Sequence, residues 1–301
     1  MNCVRHRRSG LWWVALMALG VSVVLARGAS SAASTTGAEQ PAKAALMVVI
    51  AHPDDEAYFP GLLPYVCLVR KLPVVFVVLT SGEAGITPAG NRELREEEQR
   101  RACRVYGLPN EPVFARFADG AWQGTLEDNW KLWGGESRAA EWLAAQIRHY
   151  RPDVVVTHAL DGESGHPNHV GCALSVTKAC AWAADATRGG TEVTAAWSVK
   201  KLYVHRWPTR PLEFRQDVLV PGTDRTCLQI GEAGGKMHRS QGYAEQPFAE
   251  LDAPGASRFG LYATTVGVDS GVGDLFEHVD LAPYRKSAVE PPDGADAARQ
   301  K

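Results

Sequence analysis

Short runs of Val, Ile and Leu alternate with helix-patterned segments through the middle of this chain, and that alternation limits its fold more than any other feature. Strands are expected at 45–51, 73–80, 112–117, 153–158 and 199–205, and helices at 55–70, 91–107, 136–150, 168–185 and 232–243. The run Val74-Val75-Phe76-Val77-Val78-Leu79 has no polar alternation, so a strand made of it must be covered on both faces. Doubly covered strands separated by helices form a parallel sheet. The expected fold is a Rossmann-like, doubly wound α/β domain with helices on both faces of a mostly parallel sheet. At 301 residues, 45% of them hydrophobic, the chain can build one such core.

The ends read differently. Arg5, Arg7 and Arg8 precede an apolar run from Leu11 to Ala26, and small residues follow. A basic start, a short apolar stretch and a small-residue segment describe a secretory signal over 1–32, with an uncleaved membrane anchor as the alternative. Residues 33–43 read as a flexible leader, 44–282 as the folded domain and 283–301 as a disordered tail rich in Ala, Pro and charge. Export would place the protein in the periplasm or outside the cell, with no stable membrane span once the signal is removed. Losing four Arg with the signal takes the net charge from -2 to about -6. With no basic cluster in the body of the chain, a nucleic-acid partner is excluded. Five cysteines lie beyond the signal, without CxxC spacing, and read as small buried hydrophobes rather than a thiolate metal site.

In doubly wound sheets, ligands gather outside the carboxyl ends of the strands. That rule brings His52–Glu56, Ser81–Gly85 and Asp161–His169 to one rim. A His and two carboxylates at the end of a buried strand are costly unless charge or chemistry meets them there. His52, Asp55 and His169 form a donor set of two imidazoles and one carboxylate. That set suits a catalytic Zn²⁺ with an open position, and Fe²⁺ in a facial triad is an alternative. Asp54 and Asp55 point in different directions along a chain, so one binds the ion and the other is free to act as base. His166 supplies an imidazole on the same loop.

Plainer readings stand beside these. His52-Pro-Asp-Asp could be only a turn and a helix start. Glu56 either supports the ligands from behind or favours the helix start. Glu93, Glu96, Glu97 and Glu98 read as a solvated helix face, and Arg95 as one half of an ion pair on that helix. Trp122, Trp130 and Trp133, in an expected rim loop at 117–135, either stack on a ligand or anchor the loop. His158 ends a strand near the rim, while His149, His205 and His278 have no motif around them.

Ala51-His-Pro-Asp-Asp-Glu56 together with Ser164-Gly-His-Pro-Asn-His169 resembles the paired signature of the LmbE/PIG-L family of zinc-dependent N-acetylglucosaminyl deacetylases. Thr80-Ser-Gly-Glu-Ala-Gly85, the Arg95/Glu98/Ala102 spacing and His238-Arg-Ser-Gln241 extend the resemblance over roughly 45–243. The resemblance implies His52, Asp55 and His169 as zinc ligands, Asp54 as general base, and His166 as the group that stabilises the oxyanion or protonates the leaving amine. It also implies substrate contacts from Arg95 and His238, to which Trp122 is added as a stacking surface. Many bacterial members have Asp where this chain has Asn168, and that Asp would orient His166 and raise its pKa. Asn168, Asp161 in the same loop, and Glu56 are accordingly expected behind the ligands. The activity implied is hydrolysis of the N-acetyl group of an N-acetylglucosamine compound. The alternatives are a metallohydrolase of the same fold acting on another amide or ester, and a non-catalytic carbohydrate-binding protein.

Overall fold

A computed structural model describes residues 43–85, 91–120, 122–188, 195–245, 256–271 and 274–285. The expected signal, nearly all of the leader, and the tail from 286 onward lie outside the described residues. Seven strands form one sheet in the order β3-β2-β1-β4-β5-β7-β6. They are β1 (Leu46–Ile50), β2 (Val74–Thr80), β3 (Val113–Phe117), β4 (Val154–Thr157), β5 (Lys201–His205), β6 (Pro211–Arg215) and β7 (Ala256–Thr264). The first five are mutually parallel, and β7 runs antiparallel to both β5 and β6. The expected mostly parallel, doubly wound sheet is therefore present.

Successive residues of β1 feed opposite faces. Leu46, Val48 and Ile50 enter one buried cluster with Phe59, Leu62 and Tyr106. Met47 and Val49 enter the other, with Leu143, Ile147, Cys172 and Val176 from the helices α4 (Arg138–Tyr150) and α5 (Pro167–Ala184). This two-faced burial is why the strand reads as an unbroken apolar run. The chain order reverses direction across the sheet between β1 and β4, so their carboxyl ends open a crevice. His52 and His158 stand at its two lips.

Several elements depart from expectation. The helix expected at 55–70 is broken into a 3-10 turn at Asp55–Tyr58, a short α1 at Leu62–Pro64 and a wide turn at Tyr65–Val69. Pro60 and Pro64 lack the amide protons a continuous helix needs. The rim loop contains a helix, α3 (Leu126–Leu132), started by a capping box between Thr125 and Asp128. The helix expected at 232–243 begins earlier: α6 spans Cys227–Gly235, and only a short turn follows at Arg239–Gln241. The folded body also runs past 282: α7 (Ala282–Arg285) buries Tyr284, whose hydroxyl donates to Ala44 O and Asp153. All five described cysteines are free thiols.

Candidate metal centre

The long helix α2 (Arg92–Val105) shapes the site from below. Its buried stripe is mostly polar and includes Arg95, Glu98 and Gln99. Arg95 donates to the carbonyls of Gly82 and Pro53, and its guanidinium lies 3.1 Å from Asp54 Oδ2. Gly82, at φ 68°, must be glycine because a Cβ there would fall 2.2 Å from Arg95 Nη1. Gln99 Oε1 accepts the Asp54 amide, and Gln99 Nε2 donates to Glu56. Glu98 accepts from both the amide and the hydroxyl of Ser240. The acidic run is thus only partly solvated, since Glu96 and Glu98 are buried.

These contacts hold Asp54 in a left-handed conformation, φ 111°, which is costly for a residue with a side chain. The twist sends the carboxylates of Asp54 and Asp55 in different directions. Burial pushes the Asp54 carboxyl up to about 6; the Arg95 charge opposes this and the Asp55 charge adds to it.

His52, Asp55 and His169 come together as the sequence implied. His52 Nδ1 is 3.0 Å from His169 Nε2 and 3.2 Å from Asp55 Oδ2, and His169 Nε2 is 3.1 Å from Asp55 Oδ1. Nitrogen and oxygen ligands about 2.0–2.1 Å from a tetrahedral ion sit about 3.3–3.4 Å from one another. The three donors are spaced for such an ion. Each imidazole is held from behind: His52 Nε2 lies 3.0 Å from Asp119 Oδ1, and His169 Nδ1 lies 3.2 Å from Gly162 O. This is the support that metal-ligating histidines ordinarily have. Burial alone would lower the His52 pKa, yet Asp55 and Asp119 lift it to about 9, so the cluster favours positive charge.

A second buried group, Asp55, His158 and His169, also converges. His158 fits a ligand role less well, because both ring nitrogens are already engaged: Nε2 lies 3.1 Å from the Ala51 amide nitrogen and 3.3 Å from Asp55 Oδ2, and Nδ1 lies 2.9 Å from Glu163 Oε2.

His166 caps α5. Its Nδ1 accepts the Asn168 amide at 3.1 Å, so the ring proton sits on Nε2. Burial, with His52 and His169 adding to it, lowers its pKa to about 3. The imidazole is a neutral N–H donor, as is consistent with Asn168 standing where an Asp would raise its pKa. The Asn168 side chain faces elsewhere, donating to Asp119 and lying 3.0 Å from His52 Nε2.

Other expected residues are placed as follows. Trp122 is 56% exposed and meets His166 edge-on at 4.8 Å, beside the opening. Trp133 is buried and donates to Ala118 O, anchoring the loop. Arg95 points inward to Asp54, not to the opening. His238 is 0% exposed and pairs with Glu56 at 2.8 Å, so it stands beneath the site rather than against a substrate. Glu56 also accepts from Tyr106. Asp161 is exposed and accepts the Glu163 amide. The carboxylate of that loop which reaches inward is Glu163. Sequence reasoning missed Glu163, Asp119 and His205; Asp119 at least follows a strand on the predicted rim.

A mostly parallel Rossmann-like sheet with two imidazoles and a carboxylate gathered at its switch point defines the class: an α/β protein with a divalent-metal type of site. The profile of the family described as "PIG-L: GlcNAc-PI de-N-acetylase" matches residues 47–180. A 1D-myo-inositol 2-acetamido-2-deoxy-alpha-D-glucopyranoside deacetylase of Thermobifida fusca is 32% identical over 56% of this chain and 64% of its own length. This chain thus spans less than two thirds of that relative. A probable N-acetylglucosaminyl-phosphatidylinositol de-N-acetylase of Schizosaccharomyces pombe is 27% identical over 77% of this chain and 90% of its own. A conserved protein of Thermus thermophilus shares the fold, with a TM-score of 0.55, 21% identity, and coverage of 75% of this chain and 97% of that one.

Proposed function

We propose that this protein is a metal-dependent hydrolase, with zinc as its ion, that removes the acetyl group from an N-acetylglucosamine-containing compound. The observation that carries the reading is the meeting of His52 Nδ1, the Asp55 carboxylate and His169 Nε2 within 3.2 Å of one another, with Asp54 and a neutral His166 beside them. The activities named for the relatives support the substrate class.

His52, Asp55 and His169 would hold the ion. Bound there, it supplies Lewis acidity toward the amide carbonyl and toward water. Asp54, its pKa raised toward neutrality, takes the proton of the attacking water. The His166 Nε2–H donates to the oxygen that gains charge as the carbonyl is attacked. Asp54 then returns its proton to the departing nitrogen as the C–N bond breaks, giving acetate and a free amine. Arg95 keeps Asp54 in place throughout.

Two measurements test this. Elemental analysis of the purified protein is expected to find about one divalent ion per chain, and acetate is expected from a panel of free, nucleotide-linked, lipid-linked and peptidoglycan-derived N-acetylglucosamine compounds. Protein that holds the ion and releases no acetate from any of them would overturn the substrate class. The basic start and apolar run of the N-terminal sequence support export of this activity; an unprocessed N-terminus on cytoplasmic protein would remove that assignment.

A further inference from the structure

The loop between β4 and α5 carries an inward carboxylate that the motif does not announce. Glu163 adopts φ 55° between Gly162 at φ 72° and Gly165 at φ 80°. That left-handed stretch turns the Glu163 side chain inward, while Asp161 and Ser164 face solvent. Its carboxylate is almost fully buried, at 1% exposure.

Four groups converge on it. Oε1 accepts the Ala159 amide at 2.8 Å and lies 2.8 Å from His205 Nδ1. Oε2 lies 2.9 Å from His158 Nδ1 and 3.7 Å from His169 Nδ1. The far nitrogen of His158 is 3.3 Å from Asp55 Oδ2. One carboxylate therefore stands behind two of the three candidate ligands: directly behind His169, and behind Asp55 by way of His158. The same residue fixes the turn that aims the Gly162 carbonyl at His169 Nδ1.

Electrostatics points the same way. A buried anion is expensive unless opposite charge lies near. The partners of Glu163 are a backbone amide and imidazoles, and the fixed cation near the site, Arg95, is engaged with Asp54. A divalent ion on His52, Asp55 and His169 would add positive charge beside it.

We propose that Glu163 is a positioning residue for the metal centre, acting on His169 directly and on Asp55 through His158. The proposal rests on the reading that His52, Asp55 and His169 hold the ion. Glu163→Gln keeps the shape and removes the charge, and its Zn²⁺ dissociation constant is expected to rise about 10–100-fold, the usual cost of losing a partner behind a ligand. The measurement is competition with a chromophoric chelator on metal-stripped full-length protein. Tyr284→Phe, which removes hydrogen bonds at the amino-terminal ends of β1 and β4, serves as a stability control and should keep the wild-type affinity. If Glu163→Gln fails to fold, Glu163→Asp keeps the charge but shortens its reach, and it too should bind Zn²⁺ more weakly. Wild-type affinity in the folded Glu163 variant would overturn the proposal, as would an equal loss in Tyr284→Phe. Absence of Zn²⁺ binding by the wild-type protein would instead defeat the metal reading itself.

Discussion

The Asn168 side-chain amide donates to Asp119, and the carboxylate it holds lies 3.0 Å from His52 Nε2. Asn168 therefore supports the candidate ligand His52 and not His166, although it sits two residues from His166. A carboxylate at 168 would face the carboxylate of Asp119. Asn168→Asp is expected to lower the thermal stability of metal-free protein at neutral pH. The sign follows from repulsion: the paired carboxyls would titrate above their unfolded value, so the deficit shrinks as pH falls through the carboxylate range. Melting curves across pH check this; a deficit that widens in acid would contradict it.

Asp54→Asn should separate binding from chemistry. The ion should stay bound, because Asp54 is not among the converging donors, while turnover falls by about 10²–10⁴-fold, the span usual for a general base. Metal content and acetate release on one preparation decide the matter. Retained turnover would mean another group takes the proton.

The pH profile should show one limb that belongs to Asp54. Its carboxyl is raised to about 6 and must be ionised to act, so kcat/KM should fall as pH drops through that value. His166, lowered to about 3, stays neutral over the working range. His166→Gln should thus lose roughly 10²–10³ in kcat, as a lost oxyanion donor does, yet keep the acid limb. A limb that vanishes with His166 would reverse the two roles.

Glu56 and His238 form a buried pair whose stabilising effect has a pH window. Burial works against the charged form of each, but the partner prevails, so Glu56 is lowered and His238 raised. The Glu56 contribution is present above the ordinary carboxylate value and lost as pH falls through the folded one. The His238 contribution is present below the ordinary imidazole value and lost as pH rises through its folded one. Glu56→Gln should cost about 3–5 kcal/mol within that window, the scale for breaking a buried pair. Urea unfolding at several pH values should show the gap narrowing at both ends.

Trp122 and Trp133 should part company under mutation. Trp133→Ala opens the loop anchor and should cost about 3–5 kcal/mol of stability. Trp122→Ala removes an exposed ring beside His166; it should leave unfolding unchanged and weaken kcat/KM by roughly two- to tenfold, the worth of one aromatic contact. Unchanged kinetics on every glycan substrate would assign Trp122 no part in binding.

The parts legible in the sequence were local. The central strands β1, β2 and β4 announced themselves because burial on both faces leaves nearly unbroken apolar runs, and the candidate ligands sit in two compact motifs at strand ends. The polar underside of the site was not legible. Arg95, Glu98, Gln99 and Ala102 follow helical spacing, but three of the four are polar, so the stripe that faces inward looks like a solvated one. Glu163 was hidden for another reason: its inward turn depends on a positive φ in a loop of glycines, which composition does not reveal. The β6 alternation Pro211-Leu-Glu-Phe-Arg215, buried at every second residue, was visible in principle and went unread.

The first turn of α5 behaves as a ruler. His166 at its cap and His169 one turn on are joined by helical backbone, with a pitch of about 5.4 Å. Neither imidazole can be moved toward a differently shaped substrate without moving the other. Adaptation to a bulkier or smaller ligand is thereby confined to the parts of the opening that the helix does not carry, above all the segment around Trp122. The reacting group is held to one fixed gauge, and diversity is left to the rim.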